Sequence, residues 1–410
     1  MHWATAINYF AWYVFVFISV VWIILMIENK KGFLEERKPK RLPSASVLIP
    51  AYNEEKTIGK TIRSVLGLNY PKNKLEIIVI NDGSKDKTGK IAEGFAGVKV
   101  LHNKKNRGKA CSLNRGLKIA KGELIVCIDA DSLVEPDILK KMVGYFKDPK
   151  IGAVTPALKV WNPKNFLEKI QYAEYILNIF LRKALAFLDS IHVTPGVFSV
   201  YRKDVLEKAG GFDESNLTED MEIALRIHEM GYKIENNLDA VSYTICPDRW
   251  KNLFKQRIRW YRGALQNTIK YRHMLFNPKY GNLGLFLLPM NFITVLAIIT
   301  VFFVFVWTYV TMFTDMIWKL YLVNWDISTV FQGINLMGMV DSFVSASLIF
   351  SLVGIILGAY MLYKSFQLNK ERVRSYKKTY LIYLIVIPLI YTAFWGLALL
   401  AEVLRLKRKW

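Results

Sequence analysis

The chain has few cysteines and fewer acidic than basic residues. Its 410 residues include only Cys111, Cys127 and Cys246, an odd number without metal-ligand spacing. This argues against a disulfide framework and fits a reducing compartment, so we expect three small buried side chains. The 34 acidic residues face 56 basic ones, a net charge of +22. Because the basic residues cluster beside apolar runs rather than among aromatics, we expect lipid headgroups and a nucleotide phosphate as partners, and no nucleic acid.

Charge is absent from residues 7–27, an apolar run long enough to cross a hydrocarbon core of roughly 30 Å. Basic residues follow the run, whereas a cleaved signal peptide would have them before it. We therefore predict a retained membrane anchor over residues 1–30, with the N-terminus outside and the next segment in the cytoplasm.

Further apolar runs at 285–310, 342–363 and 380–402 predict about three spans in a membrane domain over residues 281–410. The basic segment 364–378 should face the cytoplasm, and residues 311–341 suit the outer side. Strict alternation then sends the basic residues 405–409 outward, against the same rule. The sequence leaves the side of the C-terminal tail open.

Between the apolar ends lies a soluble segment, residues 43–245, in which strands alternate with helices. Buried strands are predicted at 46–50, 76–80, 98–102 and 124–128, with helices at 54–66 and 108–120. A later strand is predicted at 194–202. This order predicts an α/β fold with a parallel sheet. Polar residues recur where strands end, which is where open α/β sheets bind ligands.

Acidic residues mark two of these positions and the start of a later helix. Asp129 and Asp131 follow a buried strand, and they repel each other unless a cation lies between them. A divalent metal with a bridging diphosphate would satisfy the pair. Asp82 alone is also a plausible turn residue. The Thr-Glu-Asp segment at 218–220 is ordinary capping chemistry for the helix that follows, with Thr218 as the cap.

Residues 246–280 predict an amphipathic helix that lies on the bilayer. On the opposite side from its apolar face, Gln256, Arg259 and Trp260 could point at a site in the soluble domain. The alternative is a basic helix that only touches lipid headgroups. A second amphipathic helix, 166–188, could pack near the membrane or be an ordinary core helix. The apolar face of the first helix comprises Trp250, Leu253, Phe254, Ile258, Tyr261, Leu265 and Ile269.

Taken together, five ordered motifs resemble those of the processive membrane branch of the family 2 glycosyltransferases. This branch includes cellulose, chitin, hyaluronan and poly-N-acetylglucosamine synthases. The motifs lie at 49–55, 81–84, 129–131, 218–220 and 256–260, and the resemblance extends to the membrane layout of the rest of the chain. It implies a GT-A domain, Rossmann-like with a mostly parallel sheet, joined to an α-helical transmembrane domain.

The resemblance also implies a role for each motif residue. Asp220 would be the catalytic general base, beside Glu219, and Asp131 would bind Mg2+ or Mn2+. Lys109 resembles the family's lysine near the donor. The implied nucleotide-sugar-binding residues are Ala51, Tyr52, Glu54, Asp82, Lys109, Asp129, Gln256, Arg259 and Trp260.

The implied activity is inverting β-glycosyl transfer from a nucleotide sugar, with UDP-N-acetylglucosamine favoured, to a growing glycan that the chain exports. UDP-glucose and GDP-mannose stay open, because no residue discriminates the sugar. The implied location is the plasma membrane, multi-pass, with a cytoplasmic catalytic domain. The small membrane domain leaves room for a homo-oligomer or an accessory subunit.

One segment departs from the family pattern. Residues 193–198 read Val-Thr-Pro-Gly-Val-Phe where many relatives have a small-residue glycine motif, which weakens any prediction about the acceptor pocket. Two alternatives remain. The first is a non-processive transferase that moves one sugar to a polyprenyl or dolichyl phosphate carrier. The second is a non-catalytic membrane scaffold, against which the presence of all the acids argues.

Overall fold

A computed structural model of the chain describes residues 2–30, 32–34, 37, 39–326, 346–371 and 377–406. Its strands are β1 (Ala45–Ala51), β2 (Leu75–Asn81), β3 (Val98–His102), β4 (Leu124–Ile128), β5 (Leu133–Val134), β6 (Ile151–Val160), β7 (Val197–Arg202) and β8 (Lys233–Thr244). Its helices are α1 (His2–Glu28), α2 (Ile58–Leu66), α3 (Thr88–Glu93), α4 (Lys109–Ile119), α5 (Ile138–Val143), α6 (Phe166–Phe187), α7 (Lys203–Lys208), α8 (Glu219–Glu229), α9 (Trp250–Lys270), α10 (Leu288–Leu322), α11 (Ala346–Leu368), α12 (Lys377–Ile385) and α13 (Ile387–Val403).

The eight strands form one mixed sheet in the order β3-β2-β1-β4-β7-β6-β8-β5. The first four are parallel to one another, as predicted. β7 then runs antiparallel to both β4 and β6, and β5 pairs antiparallel with β8 at the edge. β7 begins at Val197 rather than at the predicted residue 194, because Thr194 donates from its backbone N and its Oγ1 to the carbonyl oxygen of Asp220 instead of pairing with a strand.

Helices cover both faces of the sheet, so β1 and β4 are buried at every position. Successive β1 residues point to opposite faces: Val47 joins the core beneath α2 and α5, and Leu48 the core beneath α4 and α8. Leu287 and Leu288 also belong to the second core. The long helix α10 therefore starts inside the soluble domain.

Helix α6 connects the soluble domain to the apolar helices. It begins with a capping box in which Asn165 Oδ1 accepts from Glu168 N at 2.8 Å and the Glu168 carboxylate accepts from Asn165 N at 2.9 Å. It packs on β6 and β8 on one side and on α11 and α12 on the other. One side of α6 is thus a core surface, and the other packs on apolar helices; its predicted position near a membrane stays a prediction.

In the described residues, two helices are long and apolar enough to cross a membrane, Ala6–Glu28 and Leu283–Leu322. A third crossing is present only if Thr379–Ile385 and Ile387–Val403, which meet at a 45° bend, form one span. The predicted run 342–363 is described from residue 346 as part of α11. Residues 327–345, 372–376 and 407–410 lie outside the described residues, and so do the predictions that fall on them.

The cysteine prediction is confirmed, because Cys111, Cys127 and Cys246 are free and buried. The predicted cap of α8 is right in its position at Thr218 and wrong in its side-chain bond. Thr218 precedes the helix, but its side chain does not bond to the helix backbone, and its Oγ1 instead accepts from Asn267 Nδ2 of α9 at 3.0 Å. Packing against α9 thus overrides the local capping preference.

Candidate active site

A cavity of about 1040 Å³ begins at the carboxyl ends of β1 and β4 and continues between α9, α10 and α13. It brings together acids from the soluble domain and the polar side chains of α9. Of the predicted site residues, Ala51 and Asp82 do not line it. Those that do are Tyr52, Glu54, Lys109, Asp129, Asp131, Glu219, Asp220, Gln256, Arg259 and Trp260.

Lys109 lies at the centre of the acidic end. From the first turn of α4 its Nζ reaches Asp129 Oδ1 at 2.5 Å and Glu219 Oε1 at 3.1 Å. Burial lowers the pKa of Lys109, but the two carboxylates outweigh it and hold that pKa well above its ordinary value. The ammonium therefore stays charged and links the end of β4 to the start of α8.

Asp131 is the acid of the site whose pKa is raised most. Burial, and then the charges of Asp129 and Glu54, raise its pKa to about 7. A divalent cation would relieve that repulsion, and carboxylate oxygens are suitable ligands for Mg2+ or Mn2+. No group of three or more His, Cys, Asp or Glu side chains in the described ranges is arranged to hold a metal. A metal at Asp131 would therefore need ligands from substrate and water, as is usual for Mg2+.

Asp220 lies in the first turn of α8 with its carboxylate on the cavity. Burial, and then the charge of Glu219, raise the pKa of Asp220 to about 6. Its backbone carbonyl accepts from Thr194 N at 3.2 Å and from Thr194 Oγ1 at 2.9 Å. The loop before β7 thereby fixes the position of the acid.

Helix α9 places its polar residues opposite these acids. Arg259 donates from Nη1 to the carbonyl oxygen of Leu217 at 3.2 Å, directly before α8. Gln256 Oε1 is buried without a hydrogen-bond partner in the described structure. A Cβ on Gly263 would clash with Thr218, so this glycine lets α9 approach α8 closely.

The predicted separation of two faces on α9 is wrong in part. Tyr261 and Leu265 line the same cavity as Gln256. Phe254 lies 5.2 Å from Phe394, and Tyr261 stacks on Trp395 with ring centroids 4.2 Å apart. The apolar side of this helix therefore packs largely on α13, and the sequence pattern could not distinguish that partner from lipid.

Asp82 and Ala51 lie just behind the cavity. The Asp82 carboxylate accepts from the backbone N–H groups of Arg107 at 3.1 Å and Gly108 at 2.8 Å, and from Asn103 Nδ2 at 2.6 Å. It holds the loop that leads into α4, and so positions Lys109. Ala51 is buried in β1, where its carbonyl oxygen accepts from Asp82 N at 2.8 Å. Their predicted contacts with a nucleotide remain predictions.

Comparison with known proteins identifies the family. The protein family described as "Glycosyl transferase family 2" matches residues 46–210 of the chain. A poly-beta-1,6-N-acetyl-D-glucosamine synthase of Staphylococcus epidermidis is 33% identical over 286 residues, 67% of this chain and 68% of the relative. The chain belongs to glycosyl transferase family 2. A second synthase of that name, from Staphylococcus epidermidis strain ATCC 35984, is 34% identical over 262 residues, 61% of this chain and 63% of that relative's length.

The family 2 domain has the GT-A fold. The mannosyltransferase PcManGT from Pyrobaculum calidifontis, in complex with GDP-Man and Mn2+, matches with a TM-score of 0.60 at 21% identity. The match covers 96% of each chain, so it includes the apolar helices as well as the sheet. The chain is thus a glycosyltransferase by family, with two or three apolar helices that could cross a membrane.

Gly196 of the transferase is a site residue that the sequence did not single out. A Cβ there would clash with Lys109 Nζ and lie 2.9 Å from Asp129 Oδ1. The departure from the family's glycine motif at 193–198 therefore still leaves a glycine where the central ion pair needs space. Its position after Thr194 and Pro195 was the available signal.

A buried ion pair beneath Trp260 was also missed. Arg257, within the motif at 256–260, donates from Nη2 to Glu174 Oε2 at 2.7 Å. Tyr391 OH donates to the same oxygen at 2.5 Å. The Arg257 guanidinium lies 4.2 Å from the centroid of the Trp260 ring and 5.4 Å from that of Tyr391. The pair connects α6, α9 and α13 directly behind the cavity.

Arg182 and His192 line the cavity as well. Burial lowers the pKa of Arg182 to about 10 and that of His192 to about 4, so the arginine is charged and the histidine neutral at pH 7. His192 Nδ1 has no hydrogen-bond partner in the described part of the chain. Neither residue belongs to a recognisable motif, so no sequence signal identified them.

Proposed function

We propose that the chain polymerises N-acetylglucosamine from UDP-N-acetylglucosamine into a β-linked polysaccharide. The observation that carries this proposal is the single cavity in which Asp220, the Lys109–Asp129 pair and Asp131 face Gln256, Arg259 and Trp260. The names of the 33–34% identical relatives support the sugar and the polymer. Because the matched region spans 63% and 68% of their lengths, the substrate is inferred for this chain rather than transferred.

Asp220 would act as the general base that takes the proton from the acceptor hydroxyl. With a pKa raised to about 6, it is ionised at neutral pH and yet basic enough to accept a proton. The Glu219 carboxylate pairs with Lys109 and would place a negative charge next to that base. Direct attack on the anomeric carbon would invert it and turn an α-linked donor into a β-linked product.

The leaving diphosphate requires positive charge. Arg259 could bind its oxygens as a fixed, bidentate cation, and Lys109 could reach the same end of the cavity. Asp131, with Asp129 beside it, would hold Mg2+ or Mn2+, which when bound neutralises diphosphate charge. Tyr52 and Glu54 would border the nucleoside, with Ala51 and Asp82 behind them.

Gln256 and Trp260 would bind the acceptor end. The orphaned Gln256 Oε1 can accept from a sugar hydroxyl, and the indole of Trp260 offers a flat face for a sugar ring. The catalytic domain would lie on the cytoplasmic side of a multi-pass membrane protein, as the basic residues after α1 favour. Export of the glycan along the membrane helices, and a homo-oligomer or accessory subunit, remain predictions.

A second candidate is transfer of a single sugar to a lipid phosphate carrier. The end of the cavity between α10 and α13 favours it, because that wall is largely apolar and suits an isoprenoid chain better than a hydrated glycan. Two polar side chains, Asn291 and Thr294, are included in this wall. Its apolar members are Leu288, Phe292, Val295, Leu296, Ile298, Ile299, Trp395 and Leu399.

The test is donor turnover by the purified full-length protein in detergent with Mn2+ or Mg2+. UDP-N-acetylglucosamine, UDP-glucose and GDP-mannose are supplied separately, and nucleotide release is measured while products are sized. A long polymer from the first donor is the expected result, and a single-sugar lipid adduct would establish the second candidate. Asp220→Asn should fold and bind nucleotide without transfer, so full activity in that variant would refute the assignment of the base.

A further inference from the structure

The last apolar run of the chain, helices α12 and α13, presents a conflict. Residues 380–402 are long and apolar enough to suggest a span, yet a crossing would carry the basic residues 405–409 outward, against the positive-inside rule. The contacts of the two helices with the soluble domain resolve it. Three points along the pair show where it lies.

The pair starts against the soluble domain. Tyr380 in α12 is buried, with its ring centroid 4.7 Å from that of Phe366. Phe366 in turn lies 6.0 Å from Tyr172 of α6. Just after α11, Glu371 pairs with Lys159 of β6 at 2.7 Å and Lys370 with Asp239 at 3.1 Å. The chain therefore enters α12 from the side of the membrane that holds the sheet.

The first turns of α13 stay on that side. Tyr391 OH donates to Glu174 of α6 at 2.5 Å. Trp395 stacks on Tyr261 of α9. Glu174 belongs to α6, which packs on the sheet, and Tyr261 belongs to α9, which packs on α8.

The far end of α13 returns to α9. The Glu402 carboxylate accepts from Arg262 Nε at 2.7 Å and from Gln266 Nε2 at 2.6 Å. Arg262 Nη2 also donates to the carbonyl oxygen of Leu406 at 3.0 Å. At 1.5 Å per residue, α13 is about 25 Å long, so crossing the bilayer would carry Glu402 far from α9.

We propose that α12 and α13 lie along the membrane surface on the side of the soluble domain, and that the chain after Val403 faces that side. The exposed apolar side chains of the pair then rest on lipid acyl chains, while its polar contacts point to α6 and α9. Those exposed side chains are Leu381, Ile385, Leu389, Leu397, Leu400 and Val403.

The length of the neighbouring helix α10 supports this position of the pair at the membrane surface. The apolar helix Leu283–Leu322 has 40 residues, or about 60 Å, twice the roughly 30 Å of a hydrocarbon core. It begins in the soluble core, and a Cβ on Gly396 would clash with the ring of Phe302. The 20 residues after Phe302 measure about 30 Å, so α13 meets this helix where the hydrocarbon core begins.

The arrangement also satisfies the charge rule. Arg405 would lie on the same side as the basic residues after α1 and as Lys364 and Lys370. The α12–α13 pair would then add no crossing to those of α1 and α10, and the return from the far end of α10 would run through α11, whose described apolar part is the shorter helix Leu352–Leu368. This inference does not depend on which sugar or acceptor the enzyme uses.

Cysteine labelling in sealed vesicles tests the proposal. The native thiols Cys111, Cys127 and Cys246 are buried, so an introduced cysteine supplies the signal. Leu404→Cys and Leu406→Cys report on the C-terminal end. Lys118→Cys reports on the soluble domain and Asp326→Cys on the far end of α10, and a membrane-impermeant maleimide is added to each full-length variant.

We expect both C-terminal variants to label in the vesicles in which Lys118→Cys labels, and not in those in which Asp326→Cys labels. The opposite pattern would overturn the proposal, because it would mean that α13 crosses the membrane. Two neighbouring positions are used so that a folding defect in one leaves the other as the reporter. Because labelling needs no turnover, failure of the proposed function would not affect the result.

Discussion

Arg257→Met should destabilise the transferase strongly although Arg257 lies outside the proposed chemistry. The Arg257 side chain is 1% exposed, and its ion pair with Glu174 also holds the hydroxyl of Tyr391. Methionine has a similar length and no charge, so the substitution leaves the Glu174 carboxylate buried without its cation. It also removes the cation that lies over Trp260.

Removing one partner of a buried pair costs about 3–5 kcal/mol, because the remaining charge is desolvated without compensation. For a soluble domain of this size, 1 kcal/mol shifts the melting temperature by about 2–4 °C. We therefore expect Arg257→Met to lower the Tm of the purified protein by roughly 6–20 °C. Intrinsic fluorescence or calorimetry in a mild detergent measures it.

Arg249→Met is the matched control. Arg249 precedes the same helix, its side chain is 82% exposed, and its Nε lies 3.9 Å from the Asp248 carboxylate. Such a pair contributes below about 1 kcal/mol, so the control should melt within a few degrees of the unmodified protein. Glu174→Leu combined with Arg257→Met removes both charges and should recover most of the lost stability. If Arg257→Met and Arg249→Met melt at the same temperature, the reasoning is refuted.

Three further predictions concern the acids and the glycine of the active site. Folding raises the pKa of Asp131 from 3.8 to about 7, so its ionisation opposes folding as pH rises from about 4 through 7. Asp131→Asn should therefore raise the Tm of the metal-free protein most at pH 8, less at pH 5, and hardly at all below about pH 4. Burial and the charge of Glu219 raise the pKa of Asp220, the proposed base, to about 6, so kcat/KM should fall tenfold per pH unit below that value, whereas a flat profile from pH 5 to 7 would exclude Asp220 as the base. Gly196→Ala should displace Lys109 and lower activity at least tenfold with the fold intact, while Gly59→Ala, whose Cβ would have ordinary 3.5 Å contacts, should leave activity unchanged.

The central part of the fold followed from local sequence. The strands β1, β2, β3 and β4 are short apolar runs with turn residues at their ends, and both signals lie within a few neighbouring residues. The motif acids stand directly after those strands, so their shared sheet edge could also be predicted. β7 was harder, because its antiparallel pairing with β4 and β6 depends on strands far away in the chain.

The site required information that no local pattern contains. Lys109 pairs with Asp129 and Glu219 only because α4, β4 and α8 converge at one edge. The Thr218 side chain was predicted to cap α8, yet it turns to Asn267 because α9 packs there. The Thr218 hydroxyl could accept either from the backbone of α8 or from Asn267, and in the structure it accepts from Asn267.

By itself, the sequence determined the alternating α/β order, the apolar helices and the motifs of a family 2 glycosyltransferase. Each of these depends on periodicity, run length or neighbouring residues. Only the tertiary structure decided that Arg257 is buried against Glu174 and that Glu402 returns to Arg262. The physical reason is that an apolar residue leaves water equally well for lipid or protein, whereas a buried charge requires a specific partner, and distant helices supplied it.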